Sequence, residues 1–257
     1  MAEFARRPAS ARPAGARRER GFFGKTFLLV RKDLIIEARG RDTLPPMLAF
    51  CLTVALLLAF SLPGDTRLQD AVDTPVGTVA LADVLAGFLW ITVLFAGLIG
   101  FARTFEVEAD EDALDALLLV PLDRSGLFAA KAIGNLVYVG VVQVMLVSVF
   151  ALFFSLDLGS GWWVLALVIV LVDLGFVAVG TLFASLAAQT RSRELILPIL
   201  ALPALVPIFI AAVELTSDLF IGGGLDQVAA RGWFGVLIVF DLVFVTVGAL
   251  TFEFAID

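Results

Sequence analysis

The stretch FARTFEVEADEDALDALLLVPLDRSGLFAAK, residues 101–131, is a charged segment between two long apolar runs. Each of those runs is long enough to cross a bilayer, so the segment must lie at a membrane surface or be covered by other protein. At 100° per residue its acidic side chains fall on one helical face and its apolar side chains on the neighbouring face. The pattern predicts a short amphipathic helix between two membrane spans.

The acidic face of this predicted helix favours a protein partner over lipid. Its acidic members are Glu108, Glu111, Asp112 and Asp115, and the apolar face carries Val107, Leu114, Leu117 and Leu118. Anionic headgroups would repel the acidic face, whereas a basic protein surface would attract and orient it. Charge alone leaves one alternative open, a solvated loop whose acids only keep it out of the membrane.

The composition is that of an integral membrane protein. Of the 257 residues, 60% are hydrophobic and 17% charged, and the mean hydropathy is +1.01, whereas a soluble domain of this size would expose far more charge. The sequence contains no histidine and a single cysteine, Cys51. These counts exclude an intrachain disulfide, a zinc site built from Cys and His, and a Ser-His-Asp or Cys-His catalytic centre. We therefore expect no catalytic, metal or cofactor-binding residues in this chain.

Six apolar runs are each long enough to span about 30 Å of hydrocarbon. They cover residues 44–62, 79–102, 127–156, 162–188, 195–213 and 233–255. The predicted fold is an all-α polytopic membrane protein whose residues 44–257 form one six-span domain. Residues 1–21 are predicted to be a disordered basic tail. Residues 22–43 alternate apolar and basic side chains at helical spacing, which predicts an amphipathic interfacial helix.

The basic residues give the orientation. All but two of the 18 lysines and arginines fall on one side of the predicted topology, and the exceptions are Arg67 and Arg231. The residues on the basic side are Arg6, Arg7, Arg12, Arg17, Arg18, Arg20, Lys25, Arg31, Lys32, Arg39, Arg41, Arg103, Arg124, Lys131, Arg191 and Arg193. The positive-inside rule places this side in the cytoplasm. Both termini and the acidic helix are accordingly predicted to be cytoplasmic.

Five residues inside the spans are candidates for a gate or a cavity. Asp173 and Asp241 are carboxylates at membrane depth, where an acid normally faces protein or water. They either serve a polar or proton pathway or form hydrogen bonds between helices. Pro198, Pro203 and Pro207 remove backbone donors from the fifth span, which predicts a kinked helix that lines a cavity, moves as a gate or is simply bent.

The order of these elements resembles the membrane subunits of ABC-2 type exporters, and among them the CcmB family of haem exporter permeases. The resemblance covers about residues 27–213. Its most specific parts are EDALDALLLVPLDRSGLFAAKAIGNL, residues 111–136, and LFASLAAQTRSRELILPILALPALVPIF, residues 182–209. The first has an acid, a leucine pair, a proline and a lysine in the order typical of the family, at Glu111, Leu117, Leu118, Pro121 and Lys131.

The resemblance implies a noncatalytic permease subunit in the bacterial inner membrane, with haem as cargo for cytochrome c maturation and ATP bound by a separate subunit. It implies that a CcmA-like ATPase contacts the helix after the second span. The residues expected at this contact are Glu108, Glu111, Asp112, Leu114, Asp115, Leu117, Leu118 and Pro121. Further implied partners are a CcmC-like haem-handling membrane protein, a periplasmic CcmE-like haem chaperone and a second copy of this chain, but no nucleic acid.

Two other functions remain open from the sequence. An ABC-2 permease of the same architecture could export a lipid, a glycan or a drug. A secondary transporter could instead be driven by protons through Asp173 and Asp241, although the amphipathic elements would then have no assigned role.

Overall fold

A computed structural model describes residues 22–40, 42–62, 68, 70–74, 77–105, 124–156, 159–188, 190 and 193–255. The predicted basic tail, residues 1–21, and the predicted docking helix within residues 106–123 lie outside these ranges.

Helices make up most of the described chain. They are α1 (Phe22–Gly40), α2 (Leu44–Ser61), α3 (Leu81–Arg103), α4 (Arg124–Phe154), α5 (Trp162–Ala188), α6 (Arg193–Phe220), α7 (Leu225–Ala230) and α8 (Trp233–Ala255), with a 3-10 turn at Gly159–Gly161 before α5. Within the described ranges, six of these helices, α2 to α6 and α8, are long and apolar enough to cross a membrane. The prediction of an all-α polytopic membrane protein with six spans is confirmed.

A short β-hairpin, which the sequence analysis did not predict, precedes α3. Strands β1 (Ala71–Thr74) and β2 (Gly77–Ala80) pair antiparallel, with Ala71 opposite Ala80. The N–H groups of Leu81 and Ala82 donate to backbone oxygens just before the hairpin, each at 3.0 Å, and the Asp83 carboxylate accepts from the N–H of Ala80 at 3.1 Å. The hairpin thus brings the carbonyl groups of Leu68 and Asp70, just before it, to the first donors of α3. This explains why the helix begins at Leu81 although the apolar run begins at residue 79.

Helices α3 and α5 form the centre of the bundle. In the 18-residue apolar stretches of α3 and α5, 61% and 67% of the residues are buried inside the bundle. The corresponding share is 22% in both α2 and α8, which lie at the periphery. A row of aromatic rings joins the central helices, because Phe101 of α3 meets Phe176 of α5 edge to face at 4.9 Å between centroids. Phe176 in turn meets Phe209 of α6 at 5.2 Å. Such edge-to-face contacts add to the stabilisation that burial of the rings provides.

Two glycines allow α3 and α5 to approach closely. The ring of Phe176 covers Gly97 of α3, and the ring of Phe101 covers Gly180 of α5, so a Cβ atom at either glycine would overlap a ring. Phe101 and Phe176 are both almost completely buried and cannot swing away into lipid. The pair of reciprocal ring-on-glycine contacts therefore sets the distance between the two central helices.

The Gly180→Ala substitution should destabilise the bundle, because the added methyl group displaces the clamped Phe101 ring. Overpacking of this kind costs about 1–3 kcal/mol in free energy of unfolding. Thermal unfolding in detergent can be followed with a thiol-reactive dye, since Cys51 is the one cysteine in the sequence and is buried. The matched control is Gly140→Ala in α4, where nothing lies within 4 Å of the added carbon. Equal melting temperatures for both variants would contradict the packing described here.

Candidate functional site

An apolar groove of about 690 Å³ runs between α3 and α6. Its lining consists of Gly87, Trp90, Ile91 and Leu94 from α3, and of Leu202, Pro203, Leu205, Val206, Phe209, Ile210, Val213 and Glu214 from α6. The volume falls in the range of small-molecule binding sites. Among the described residues that line the groove only Glu214 is charged, and it lies toward the end of α6. The groove therefore suits a large apolar group.

Trp90 fixes the two walls of the groove to each other. Its side chain is fully buried, and its indole N–H donates to the hydroxyl of Thr216 on α6 at 2.9 Å. Its ring also meets Phe209 edge to face, with 6.0 Å between centroids. Trp90 of α3 thus contacts α6 both through a hydrogen bond and through an aromatic ring contact.

The three prolines lie inside α6 without ending it. Pro198, Pro203 and Pro207 interrupt the ladder of backbone hydrogen bonds, because proline has no N–H to donate four residues back. The carbonyl groups of Glu194, Ile199 and Pro203 consequently lack their usual donors. Pro203 also lines the groove. The α6 wall of the groove therefore belongs to a helix whose backbone ladder is interrupted at three positions.

The last turns of α6 are held by polar contacts at the end of the bundle where α3 begins. Arg231, between α7 and α8, forms ion pairs with Glu214 at 2.9 Å and with Asp218 at 3.2 Å. The hydroxyl of Ser217 donates to the Asp83 carboxylate at the start of α3. These contacts explain why α6 continues to Phe220, whereas the apolar run in the sequence stops at residue 213.

Asp173 belongs to a buried polar ladder between α4 and α5. Its carboxylate, only 3% exposed, accepts from the side-chain amide of Gln143 at 2.8 Å. Two helical turns away, the amide of Asn135 donates to the hydroxyl of Thr181 at 3.0 Å, and the hydroxyl of Thr104, the residue after α3, donates to the side-chain oxygen of Asn135 at 3.0 Å. The contacts repeat every eight residues on both helices, so they fix the register of this antiparallel pair.

Asp241 occupies a different environment. Its carboxyl group on α8 lies against Gly175 of α5, where a Cβ atom would overlap it and would also meet Ile208 and Phe240. Neither carboxylate oxygen takes part in a hydrogen bond of normal geometry. Within the described part of the chain, no hydrogen bond joins Asp241 to Asp173. The structure therefore does not bring the two predicted intramembrane acids together as one relay, and it leaves Asp241 as a polar group at a junction of three helices.

A polar junction joins α1, α3 and α4 at the opposite end of the bundle from Arg231. A cavity of about 70 Å³ lies there, lined by residues that include Asp33, Arg103, Lys131 and Tyr138. Lys131 forms an ion pair with Asp33 of α1 at 3.2 Å, and its ammonium group lies 5.6 Å from the centre of the Phe105 ring. In sequence, Phe105 is the last described residue before residues 106–123, and Lys131 lies seven residues after Arg124, the first described residue beyond them.

The predicted contact residues for the ATPase lie outside the described ranges. They are Glu108, Glu111, Asp112, Leu114, Asp115, Leu117, Leu118 and Pro121. Of the predicted gate residues, the structure brings only Pro203 to the groove, while Asp173 and Asp241 lie on other helix pairs. Among the described residues, no group of three or more Cys, Asp and Glu side chains is arranged to hold a metal ion.

Sequence reasoning missed Arg231, Trp90 and the Asp33–Lys131 ion pair as organising residues. A signal was available for the last, because Asp33 is the first acid of a basic helix and Lys131 is the single lysine after the acidic segment. Opposite charges near two helix ends at the same membrane face are candidates for pairing. Trp90 carried no such signal, because tryptophan in a span is common.

The Gln143→Met substitution should leave the buried Asp173 carboxyl group without its donor. The loss is expected to cost about 1–3 kcal/mol in free energy of unfolding. The double variant Gln143→Met with Asp173→Leu removes both polar groups and should recover most of this loss. Denaturation by dodecyl sulfate, followed through Cys51 as above, measures both effects, and Ser148→Ala is the control because this exposed hydroxyl bonds only its own helix. If Gln143→Met were as stable as the parent protein, the Gln143–Asp173 hydrogen bond would not contribute to the free energy of unfolding.

Comparison with known proteins agrees with this architecture. The chain matches the model of the CcmB protein family over residues 25–257, a range that includes all six spans. It is 28% identical over 187 residues to heme exporter protein B of Rhodobacter capsulatus, covering 73% of this chain and 80% of the relative. It is 30% identical over 190 residues to heme exporter protein B of Paracoccus denitrificans, covering 73% of this chain and 79% of the relative. The chain belongs to the CcmB protein family.

Proposed function

We propose that this chain is the permease subunit of an ATP-driven complex that handles haem for cytochrome c biogenesis. The observation that carries the proposal is the family match over residues 25–257, supported by two relatives named heme exporter protein B. The chain is not an enzyme in this proposal, and it binds no cofactor of its own. A separate CcmA-like subunit binds and hydrolyses ATP, and the six spans convert the movement of that subunit into export of haem or release of a haem-loaded chaperone.

The proposed ATPase contact is the acidic, leucine-backed segment between α3 and α4. Its acids attract a basic surface of the partner, while Leu114, Leu117 and Leu118 provide the apolar centre that such interfaces need. The position of the segment supports this role, since it connects the two helices that meet at the polar junction with α1. Closure of the ATPase around nucleotide would thus act on α3 and α4 together.

Replacing Leu117 and Leu118 by glutamate should abolish co-purification of the ATPase from membranes. Loss of an apolar hot spot and added repulsion weaken such a contact by about 30-fold or more. Replacement of the same two leucines by methionine is the control, because it keeps apolar volume. Intact association of the glutamate variant, at normal membrane levels of the chain, would assign the contact to another surface.

The groove between α3 and α6 is the proposed place for the apolar cargo. Its volume and nearly uncharged lining suit a haem macrocycle, whose polar propionate groups would point toward an end of the groove. The proline-interrupted α6 acts as the movable wall, because Pro198, Pro203 and Pro207 weaken its backbone ladder. Asp173 and Asp241 are polar groups of neighbouring helix contacts, and Asp241 is the freer of the two to meet a polar cargo group or water.

The Val206→Trp substitution should fill the groove and lower haem output. Val206 lines the groove and is half exposed, so an indole fits sterically but occupies the proposed cargo space. We expect the yield of haem-loaded chaperone to fall about tenfold, equivalent to about 1.4 kcal/mol, with ATPase association unchanged. Ile199→Trp is the matched control, because Ile199 is exposed on the same face of α6 two turns away but does not line the groove. Equal output from both variants would exclude the groove as cargo site.

The proposed setting is the bacterial inner membrane, with both termini in the cytoplasm. The strong bias of Lys and Arg toward one side of the spans supports this orientation. A CcmC-like protein would present haem and a periplasmic CcmE-like chaperone would receive it. A second copy of this chain would complete a complex with two ATPase subunits. The lipid-exposed faces of α2 and α8 leave room in the membrane for such neighbours.

A further inference from the structure

Helix α1 docks on the bundle through its acidic residues. Asp33 and Glu37 point inward together with Thr26 and Val30. The exposed side chains of the helix include the large apolar Phe27 and Ile35 and the basic Arg31 and Arg39. Two carboxylates therefore help to hold α1 in place beside the buried Thr26 and Val30, even though the helix as a whole is basic. The residues that these carboxylates bind on neighbouring helices determine which helices α1 is coupled to.

Glu37 attaches α1 to the start of α2. One of its carboxylate oxygens accepts from the backbone N–H groups of Thr43 and Leu44, at 2.9 and 2.8 Å. Thr43 precedes the first residue of α2 and its own side chain makes no capping bond, so Glu37 acts as the cap from a different helix. A negative charge at a helix N-terminus is also favoured by the helix dipole.

Asp33 attaches α1 to the start of α4. Its ion pair with Lys131 is largely removed from solvent, with side-chain exposures of 16% for Asp33 and 8% for Lys131. Because the pair is shielded from solvent, it should contribute more than an exposed ion pair, and it couples the two helices at this point. Lys131 also contacts Phe105, and Thr104 bonds Asn135, so the end of α3 and the start of α4 are tied to the same spot.

We propose that Asp33, Glu37 and Lys131 form a clasp that makes α1, and through it the start of α2, follow the start of α4 when residues 106–123 are displaced. This inference rests on the proposed function, because the displacing partner is the ATPase subunit. Asp33, Glu37 and Lys131 are positioning residues, since they touch neither cargo nor nucleotide. The clasp extends the action of the ATPase from α3 and α4 to the interfacial helix and the first span.

The test measures whether α1 and α4 move as one. Spin labels are placed at exposed Arg31 of α1 and at exposed Ile133 of α4, in a Cys51→Ala background, and the distance between them is measured by pulsed electron resonance. Two variants, Lys131→Met and Asp33→Asn, break the ion pair. A third, Lys131→Arg, keeps the positive charge and should preserve the narrow distance distribution of the parent. Lys32→Met is the control, because Lys32 pairs with the other oxygen of Asp33 at 3.3 Å but is 44% exposed, where an ion pair contributes little.

In the isolated chain in nanodiscs we expect one narrow distance distribution for the parent, Lys131→Arg and Lys32→Met, and a broadened one for Lys131→Met and Asp33→Asn. In the complex with its ATPase, the parent distance should change by less than about 2 Å between nucleotide states, the size of shift that packed helices make in switching proteins. Lys131→Met should retain ATPase association but lower haem output about tenfold. The double variant Lys131→Met with Asp33→Asn removes both charges of the pair and should show the same broadened distance distribution.

Narrow distributions for the neutral variants, or a parent distance that changes with nucleotide beyond this limit, would overturn the clasp. A parent complex without any ATP-dependent haem output would instead contradict the proposed function. Even if the proposed function is wrong, the widths of the distance distributions in the isolated chain still test the clasp. That measurement requires neither ATPase nor haem.

Discussion

The bilayer core offers no water to polar groups, and this constraint organises the interior of the bundle. The polar side chains of Asn135, Gln143 and Asp173 therefore face the interior of the bundle rather than lipid. There they form hydrogen bonds between α4 and α5. Trp90 likewise directs its indole N–H to Thr216 on α6. Each of these bonds joins two different spans. The polar side chains of the spans therefore decide which apolar surfaces become contacts and which remain open to lipid.

The bundle combines a closely packed pair of central helices with one helix whose backbone hydrogen bonding is interrupted. Helices α3 and α5 are joined by ring-on-glycine contacts that leave no space between them. Helix α6 is tied to α3 near its C-terminal end, where Thr216 bonds Trp90 and Ser217 bonds Asp83. The three prolines that interrupt its backbone ladder lie nearer its N-terminal end, and the apolar groove runs between it and α3. The centre nevertheless includes part of α6, because Phe209 of α6 packs edge to face on Phe176. At the opposite end of the bundle, the polar junction ties α1 to α3 and α4 through charged and polar side chains.

Much of the fold could be predicted from the sequence because membrane spans are long and their apolar runs are unambiguous. The limits of these runs were less informative. Glu214 and Asp218 ended the predicted fifth span, yet α6 continues because Arg231, far away in the sequence, neutralises both. The hairpin before α3 escaped prediction because its strands are only four residues long. Periodicity identified α1 as amphipathic but not which face docks, since the inward face is chosen by partners such as Lys131 on another helix. The groove arises from two helices whose meeting faces no single-chain pattern reveals.

The spans of this bundle differ greatly in length. Helix α2 has 18 residues, about 27 Å, whereas α4 has 31 residues, about 46 Å. A hydrocarbon layer of uniform thickness cannot match both, so α4 must tilt or protrude while the membrane thins beside α2. The work of deforming the surrounding lipid then depends on acyl-chain length. Thickness of the host membrane becomes a variable that acts on the conformational equilibrium of the protein.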